Sequence, residues 1–242
     1  MIAPTSTPQH STENRILASL DKTIYLNFFS QLERVSFFLG EVVYEADSFI
    51  DYVYFPENVV FSMLATMEDG RTVEVGPVGR EGLVGLRVVL GAETTPDRVV
   101  THMAGNAVRL KASVLKSELE KPHTALSQKL IRYTQMLLVM TCRTSACNKL
   151  HSLEQQFARW LLLMNDYVGN ELRLTHELMA LTLGVRRAGV SVAANNLRNS
   201  GMIDYVRGHI RIVNRTDLEA VACECYEVVK KEYDKLYDDL TK

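Results

Sequence analysis

The chain has 242 residues, of which 47 % are hydrophobic and 23 % charged, and its formal net charge is −2. This composition is typical of a soluble globular protein with room for one large or two modest domains. It excludes an integral membrane protein, because the longest aliphatic runs, such as Met136–Met140 and Leu161–Met164, are far too short to span a bilayer.

The first part of the chain predicts a short leader followed by a β-rich domain. Met1–Asn14 is polar and lacks a signal pattern, so we expect a disordered leader and a cytoplasmic protein. Arg15–Leu20 and Tyr25–Leu32 have the spacing of short amphipathic helices. After Arg34 the chain is rich in Val, Phe and Tyr and is broken by turns at regular intervals. Many short strands with regular turns predict a barrel or jelly roll.

The middle of the chain predicts one long helix. From Pro122 the apolar period returns to that of a helix, with an a/d seam that steps by four and three residues. The seam consists of Leu126, Leu130, Tyr133, Leu137, Met140 and Thr144. The first five of these are the predicted interface residues. A seam of nearly three heptads is typical of a helix that pairs with a copy of itself, so we predict a dimerisation helix with these residues at the interface. The alternative is a long core helix that packs on its own domain.

Two short helices and a turn are predicted after residue 174. Thr175 is a good N-cap for the first helix, and Gly184 can end that helix and turn the chain. The second helix begins near Arg186 and ends at Gly201. The residues at helical spacing on its buried face are Val190, Ala193, Ala194 and Leu197.

A tight hairpin completes this unit. The strands Ile203–Val206 and His209–Ile212 meet at Arg207-Gly208, which gives a winged helix-turn-helix that would place its second helix in the DNA major groove. Between residues 173 and 215, seven arginines stand against two acids, a local balance of +5. Phosphate binding needs such a local basic surface. The alternative is a helix–hairpin packing unit with a solvated arginine face.

These motifs resemble the DNA-binding domain of the CRP/FNR family of bacterial transcription regulators. The segments LGVRRAGVSVA and GMIDYVRGHIRI match the family pattern without gaps. The resemblance implies that Arg187 contacts guanine, with Ser191 and Asn195 as secondary readers. It also implies phosphate contacts from Thr175, His176, Arg186 and Arg207. Over the whole chain the resemblance implies a homodimer on a palindromic operator, with RNA polymerase as a further partner.

The first domain resembles the cyclic-nucleotide-binding β-roll of the same family. In that family a glycine-rich loop and an arginine bind the cyclic phosphate, as an anion nest and a guanidinium fork would. The resemblance implies an effector site at Gly79, Glu81, Gly85 and Arg98. Alternatively, the glycines are only turns, and Arg98 makes a surface ion pair with Asp97 or Glu93.

Two positions depart from the family's effector pattern. Leu86 stands where a glutamate is expected, and Val99 stands where a hydroxyl residue is expected. We therefore expect that cyclic AMP does not bind and that the effector, if any, is another small molecule. No cofactor is predicted.

The cysteines and histidines show no recognisable metal pattern. The cysteines are Cys142, Cys147, Cys223 and Cys225. Cys223 and Cys225 are two residues apart and would not share a helix face, and no second pair or well-spaced histidine accompanies them. We predict free structural thiols and no metal site. The sequence also has no catalytic triad order, P-loop or HExxH motif, so we predict no enzyme activity.

The overall prediction is an α+β fold with a β-roll (jelly roll), a long dimerisation helix and a C-terminal winged helix-turn-helix. The boundaries are a leader at 1–14, a sensor domain at 15–121, the dimerisation helix at 122–150 and the DNA-binding domain with a helical tail at 151–242. The predicted function is a homodimeric transcription regulator that binds double-stranded DNA. The alternative is a ligand-binding regulatory module whose C-terminal domain docks a protein.

Overall fold

The computed structural model describes residues 12–21, 25, 30–206 and 208–238. The leader over 1–11, most of the helix predicted over Tyr25–Leu32 and the wing residue Arg207 lie outside the described residues. Asn14, which the predicted leader includes, is buried, and its side chain accepts hydrogen bonds from the amides of Ile16 and Leu17. It thereby caps the first helix, α1 (Arg15–Ala18).

The first domain is a β-roll of two antiparallel sheets, with strand orders β1-β7-β3 and β2-β6-β4-β5. The strands are β1 (Glu33–Phe37), β2 (Val42–Tyr44), β3 (Tyr52–Pro56), β4 (Val60–Thr66), β5 (Thr72–Val78), β6 (Arg98–Met103) and β7 (Gly105–Lys111). The core between them is aromatic: Phe55 and Phe61 are fully buried, and the rings of Phe37 and Phe61 meet edge to face at 5.0 Å. The predicted β-roll is confirmed.

Two helices follow the roll, α2 (Ala112–Leu119) and the long helix α3 (Ala125–Leu150). Thr124 caps α3 by accepting a hydrogen bond from the amide of Ser127. None of the described helices combines the length and the hydropathy that a membrane span requires.

The predicted interface seam of α3 faces the chain's own core. Leu126, Leu130, Tyr133 and Met140 are at most 1 % exposed within a single chain, so they are not available to a second copy. Leu137 is half-buried against the same core. The prediction of these residues as dimer contacts is therefore wrong, and the alternative of packing on the chain's own domain holds for this face. A different face of α3 is exposed and apolar at Ile131 and Leu138, which are 63 % and 64 % exposed.

The second domain is a winged helix-turn-helix, as predicted. Its elements are α4 (Leu153–Val168), β8 (Glu171–Arg173), α5 (His176–Leu183), α6 (Arg187–Asn199), β9 (Ile203–Val206), β10 (His209–Ile212), α7 (Arg215–Val221) and α8 (Cys225–Asp238). The bounds of β9 and β10 are those predicted, whereas β8, which pairs with β10, was not predicted. The apolar face of α8 packs on α3 and buries Tyr226, Val229 and Tyr233.

The two domains meet along β5, at a contact that we call the β5–α4 junction. The indole nitrogen of Trp160 on α4 donates to Oε1 of Glu74 on β5 at 3.2 Å. Gly184, at the turn between α5 and α6, lies so close to Val73 of β5 that an added Cβ would be 3.0 Å from its Cγ2. Glycine is therefore required at this turn both by its positive φ of 63° and by the packing.

Candidate nucleic-acid interface and effector cavity

The helix-turn-helix is fixed by the local signals that predicted it. The hydroxyl of Thr175 accepts a hydrogen bond from the amide of Leu178 and caps α5. Gly184 ends α5 in the left-handed conformation. Arg186 stands at the N-cap of α6 and makes no side-chain cap, which leaves its guanidinium free to extend from the start of the helix.

The two faces of α6 are sharply divided. The residues predicted to face inward, Val190, Ala193, Ala194 and Leu197, are all buried. On the opposite side Arg187, Ala188, Val192 and Asn195 are exposed. Val192, which is 61 % exposed, is the residue that the list of predicted readers omitted. Helical spacing indicates its position on the outward face, but its side chain is apolar and gives no hydrogen-bonding signal that would mark it as a base contact.

Arg187 already has a partner within the chain. Its guanidinium lies 2.7 Å from the carboxylate of Glu177 on α5, and both side chains are well exposed. An ion pair in water contributes little to stability, so either group can exchange its partner at low cost.

His176 and Ser191 form an internal contact that connects three elements. The His176 ring stacks on Tyr205 of the wing strand β9, with centroids 4.8 Å apart, and its Nδ1 lies 2.9 Å from the Ser191 hydroxyl on α6. The Nε2 of His176 is buried without a hydrogen-bond partner among the described residues. Burial, aided by the charge of Arg187, lowers the pKa of His176. The predicted phosphate contact from His176 does not fit this arrangement, because neither ring nitrogen is available.

The basic surface is smaller than the arginine count suggests. Arg215 is directed into the domain, where it lies 2.8 Å from both Asp166 and Glu219. Arg173, Arg186 and Arg198 are exposed and have no acidic partner among the described residues. Arg207, in the turn of the wing, lies outside the described part of the chain.

A cavity of about 290 Å³ lies inside the β-roll against α3. Most of its lining is apolar and includes Tyr44, Met63, Leu83, Val99, Leu137 and Leu138. The long helix adds two hydroxyl groups, from Thr134 and Thr141. Arg87 lies at the rim, and its guanidinium is paired with Asp97 at 2.8 Å.

Three of the four predicted effector residues do not line this cavity. Only Gly85 does. Arg98 is paired on the surface with Glu45 at 3.0 Å, so the surface ion pair that we considered as an alternative is present with a different partner. Arg87, which sequence reasoning missed, is the arginine at the cavity.

Gly79 and Glu81 belong to the packing between the domains. Oε1 of Glu81 accepts a hydrogen bond from the amide of Gly79 at 2.9 Å, and burial raises the pKa of this carboxyl to about 7. An added Cβ would lie 2.7 Å from the Tyr167 ring of α4 at Gly79 and 2.1 Å from the Tyr133 hydroxyl of α3 at Gly82. These glycines are present because the loop approaches α3 and α4 closely, and the predicted anion nest is not formed here.

The family of Crp-like helix-turn-helix domains matches residues 155–221. This match covers α4, the turn, α6 and the wing. Residues 155–221 are a Crp-like helix-turn-helix domain. No curated protein matches the sequence.

Several solved structures match the β-roll as well as the helix-turn-helix domain. FixK2 from Bradyrhizobium japonicum is 18 % identical, and the match covers 79 % of this chain and 98 % of that one with a TM-score of 0.69. A CRP/FNR-family transcriptional regulator from Thermus thermophilus is 21 % identical over 78 % and 98 %, with a TM-score of 0.63. The c-di-GMP-responsive global regulator CLP of Xanthomonas campestris is 15 % identical over 79 % and 99 %, with a TM-score of 0.62.

Together these matches give the chain the fold of a CRP/FNR-type transcription regulator. The predicted fold class and the predicted Crp-like helix-turn-helix domain are confirmed.

Proposed function

We propose that this chain is a sequence-specific DNA-binding transcription regulator that acts as a homodimer in the cytoplasm, with RNA polymerase as a second partner. The observation that carries the proposal is the outward face of α6, where Arg187, Val192 and Asn195 stand together on a Crp-like recognition helix. Such a helix enters the major groove. The exposed arginines beside it provide the positive charge that phosphate binding needs.

Arg187 is the proposed reader of guanine. On binding, its guanidinium would leave Glu177 and donate to O6 and N7 of guanine, a contact that contributes roughly 1–3 kcal/mol of discrimination. Val192 can place its methyl groups against the methyl of thymine, and Asn195 can contribute a secondary contact. Ser191, which is half-buried and bound to His176, supports the helix more than it reads the base.

The adjacent arginines Arg186 and Arg187 provide a matched test of this proposal. Bound DNA is selected from a random pool, and affinity is then measured across a salt series. Arg187→Ala should relax the consensus at one base pair in each half-site. Arg186→Ala should keep the consensus, weaken all sequences about equally and reduce the salt slope by roughly one phosphate contact. An unchanged consensus in Arg187→Ala would show that α6 is not the reader, and wild-type binding that is insensitive to salt would favour a protein partner for this domain.

The dimer is proposed to form through the exposed face of α3. Ile131 and Leu138 are seven residues apart and therefore lie nearly above one another on the helix. Two such helices can pair about a two-fold axis, and this symmetry would match a palindromic operator with half-sites about one helical turn apart.

The effector is proposed to be a small, mainly apolar molecule that occupies the cavity in the β-roll. The apolar lining and the two threonine hydroxyls of α3 favour a ligand with few polar groups. Cyclic AMP does not fit this proposal, because Arg98 is outside the cavity and paired with Glu45, and because most of the cavity lining is apolar. Since Thr134, Leu137, Leu138 and Thr141 line the cavity, an occupant would act directly on the long helix.

A further inference from the structure

Three cysteines and one histidine from two distant parts of the chain meet at the end of α3. Cys147 lies in the last turn of α3, and His151 follows it by four residues. Cys223 and Cys225 come from the segment between α7 and α8. The sulfurs of Cys147 and Cys223 are 3.4 Å apart, and the sulfur of Cys225 is 3.8 Å from Nδ1 of His151. All four of these atoms lie within 4.8 Å of one another.

This spacing is that of ligands to a single tetrahedral ion. Zinc bound to sulfur at about 2.3 Å in tetrahedral geometry places its ligand atoms about 3.8 Å apart. An iron–sulfur cluster distributes its cysteines over several irons and so needs a wider cage. Three thiolates and one imidazole form one of the standard ligand sets of structural zinc sites. We propose that Cys147, His151, Cys223 and Cys225 bind one zinc ion.

The groups around these four residues complete such a site. The Nε2 of His151 lies 3.2 Å from the carboxylate of Glu224. With Nδ1 directed at Cys225, this is the arrangement in which a carboxylate orients a metal-bound histidine through its other nitrogen.

A buried cation provides the second observation. Arg159 on α4 is only 4 % exposed, and its Nε and Nη1 have no hydrogen-bond partner among the described residues. Nη2 of Arg159 donates to the Thr144 hydroxyl at 3.4 Å, and the Glu74 carboxyl, on which the charge of Arg159 acts, is mostly protonated near pH 7 because burial raises its pKa to about 8. A buried guanidinium that is not fully neutralised is strongly unfavourable. Zinc with three thiolates carries a net charge of −1, which would neutralise this arginine.

The site would tie the end of the long helix to the C-terminal helices. Cys147 and Cys223 are 76 residues apart in sequence, yet they meet where the chain passes from α3 into the DNA-binding domain. Bound zinc would therefore hold α8 against α3 and restrict how the DNA-binding domain turns relative to the β-roll. This consequence rests on the fold and on metal binding, and it does not require that the chain bind DNA.

The test is metal analysis of the full chain with a matched cysteine control. Cys142 is an exposed cysteine on the same helix, outside the cluster, so Cys142→Ser serves as the control. Protein produced with zinc in the medium and desalted should contain about one zinc per chain in the wild type and in Cys142→Ser. Cys223→Ser and His151→Ala should lose most of it. Replacement of zinc by Co²⁺ should give the visible absorption of a tetrahedral thiolate site in the wild type and in Cys142→Ser. Cys223→Ser and His151→Ala should not give this absorption.

Circular dichroism and size-exclusion chromatography distinguish metal loss from misfolding. If Cys223→Ser does not fold, Glu224→Gln provides the second variant, because it keeps all four ligands and should only speed the release of zinc to a chelator. Wild-type protein that contains no metal and gives no tetrahedral Co²⁺ spectrum would overturn the proposal. A disulfide between Cys147 and Cys223 in the intact, metal-free wild type, seen by non-reducing mass spectrometry, would overturn it in favour of a redox pair.

Discussion

The β5–α4 junction predicts a pH dependence of stability that one substitution should remove. The Glu74 carboxyl is buried, accepts hydrogen bonds from Trp160 and Ser62, and lies 3.7 Å from the ring of His102. Burial raises the pKa of Glu74 to about 8, although the bond from Trp160 and the charge of Arg159 act to lower it. Burial likewise lowers the pKa of His102 to about 4, so the imidazole is neutral near pH 7 and provides no counter-charge.

The sign follows from which state binds the proton more tightly. The pKa of Glu74 is higher in the folded chain than its ordinary value of 4.5, so its contribution to stability is complete below pH 4.5 and is lost as the pH rises to about 8. Each pH unit within this window costs about 1.4 kcal/mol of unfolding free energy. Between pH 6 and pH 8, wild type should therefore lose about 2 kcal/mol relative to Glu74→Gln, which stays neutral. For a chain of this size that is a difference of about 4–8 °C in Tm.

Tryptophan fluorescence measures this junction directly, because Trp160 is the only tryptophan in the chain. Thermal unfolding of wild type and Glu74→Gln is followed at pH 6, 7 and 8 in phosphate, whose pKa changes little with temperature. Glu68→Gln, at the exposed β4–β5 turn, is the matched control and should follow wild type. If the Tm difference between wild type and Glu74→Gln is the same at all three pH values, then Glu74 is not a buried neutral acid and the proposed domain contact is wrong.

Two further predictions concern the long helix and the cavity. Ile131→Asp combined with Leu138→Asp should convert a dimer into a folded monomer, as measured by sedimentation. Leu150→Asp changes an exposed leucine on a different face of the helix and should leave the dimer intact. A wild type that is monomeric at micromolar concentration would refute the proposed interface. Calorimetry should detect no micromolar binding of cyclic AMP, and micromolar binding that is lost in Arg98→Ala would show that Arg98 can reach the cavity after all.

The helix-turn-helix could be predicted almost completely because its determinants are local. Thr175 caps the first helix through an amide three residues away, and Gly184 ends it through its own backbone conformation. The wing strands pair with each other across a two-residue turn. Such contacts depend on residues that are neighbours in sequence, so the pattern of residues and the structure agree. The third strand of the wing sheet, β8, was missed because its partner β10 lies more than thirty residues further along.

The long helix was predicted correctly as a helix, but its faces were assigned wrongly. Apolar residues spaced three and four apart identify the apolar face of a helix. The spacing is the same whether that face packs on a copy of the helix or on the chain's own domain. Here the β-roll, the loop around Gly82 and the apolar face of α8 cover the seam at Tyr133 and Met140. The sequence could not indicate this, since Tyr233, which donates to the sulfur of Met140, is 93 residues away.

The candidate sites depend on long-range contacts even more strongly. Arg98 and Arg87 are both near the glycine-rich segment, yet Arg98 pairs with Glu45 on the surface while Arg87 lines the cavity. Their positions in the sequence do not distinguish the two arrangements. The spacing argument against a metal site assumed that Cys223 and Cys225 share one helix. Cys223 instead precedes α8, and the other two members of the cluster come from the end of α3.

The long helix connects the cavity, the exposed apolar face and the cysteine–histidine cluster. Along its 26 residues it lines the cavity with Thr134, Leu137, Leu138 and Thr141. Its last turn contains Cys147, and His151 follows directly after its end. Leu138 belongs both to the cavity lining and to the exposed face proposed to contact a second copy. An occupant that displaces Leu138 would therefore change the dimer contact itself, without a relay through other residues. Because the end of the same helix leads into the Crp-like domain, a shift in how two copies of α3 pair would alter the spacing of the two recognition helices.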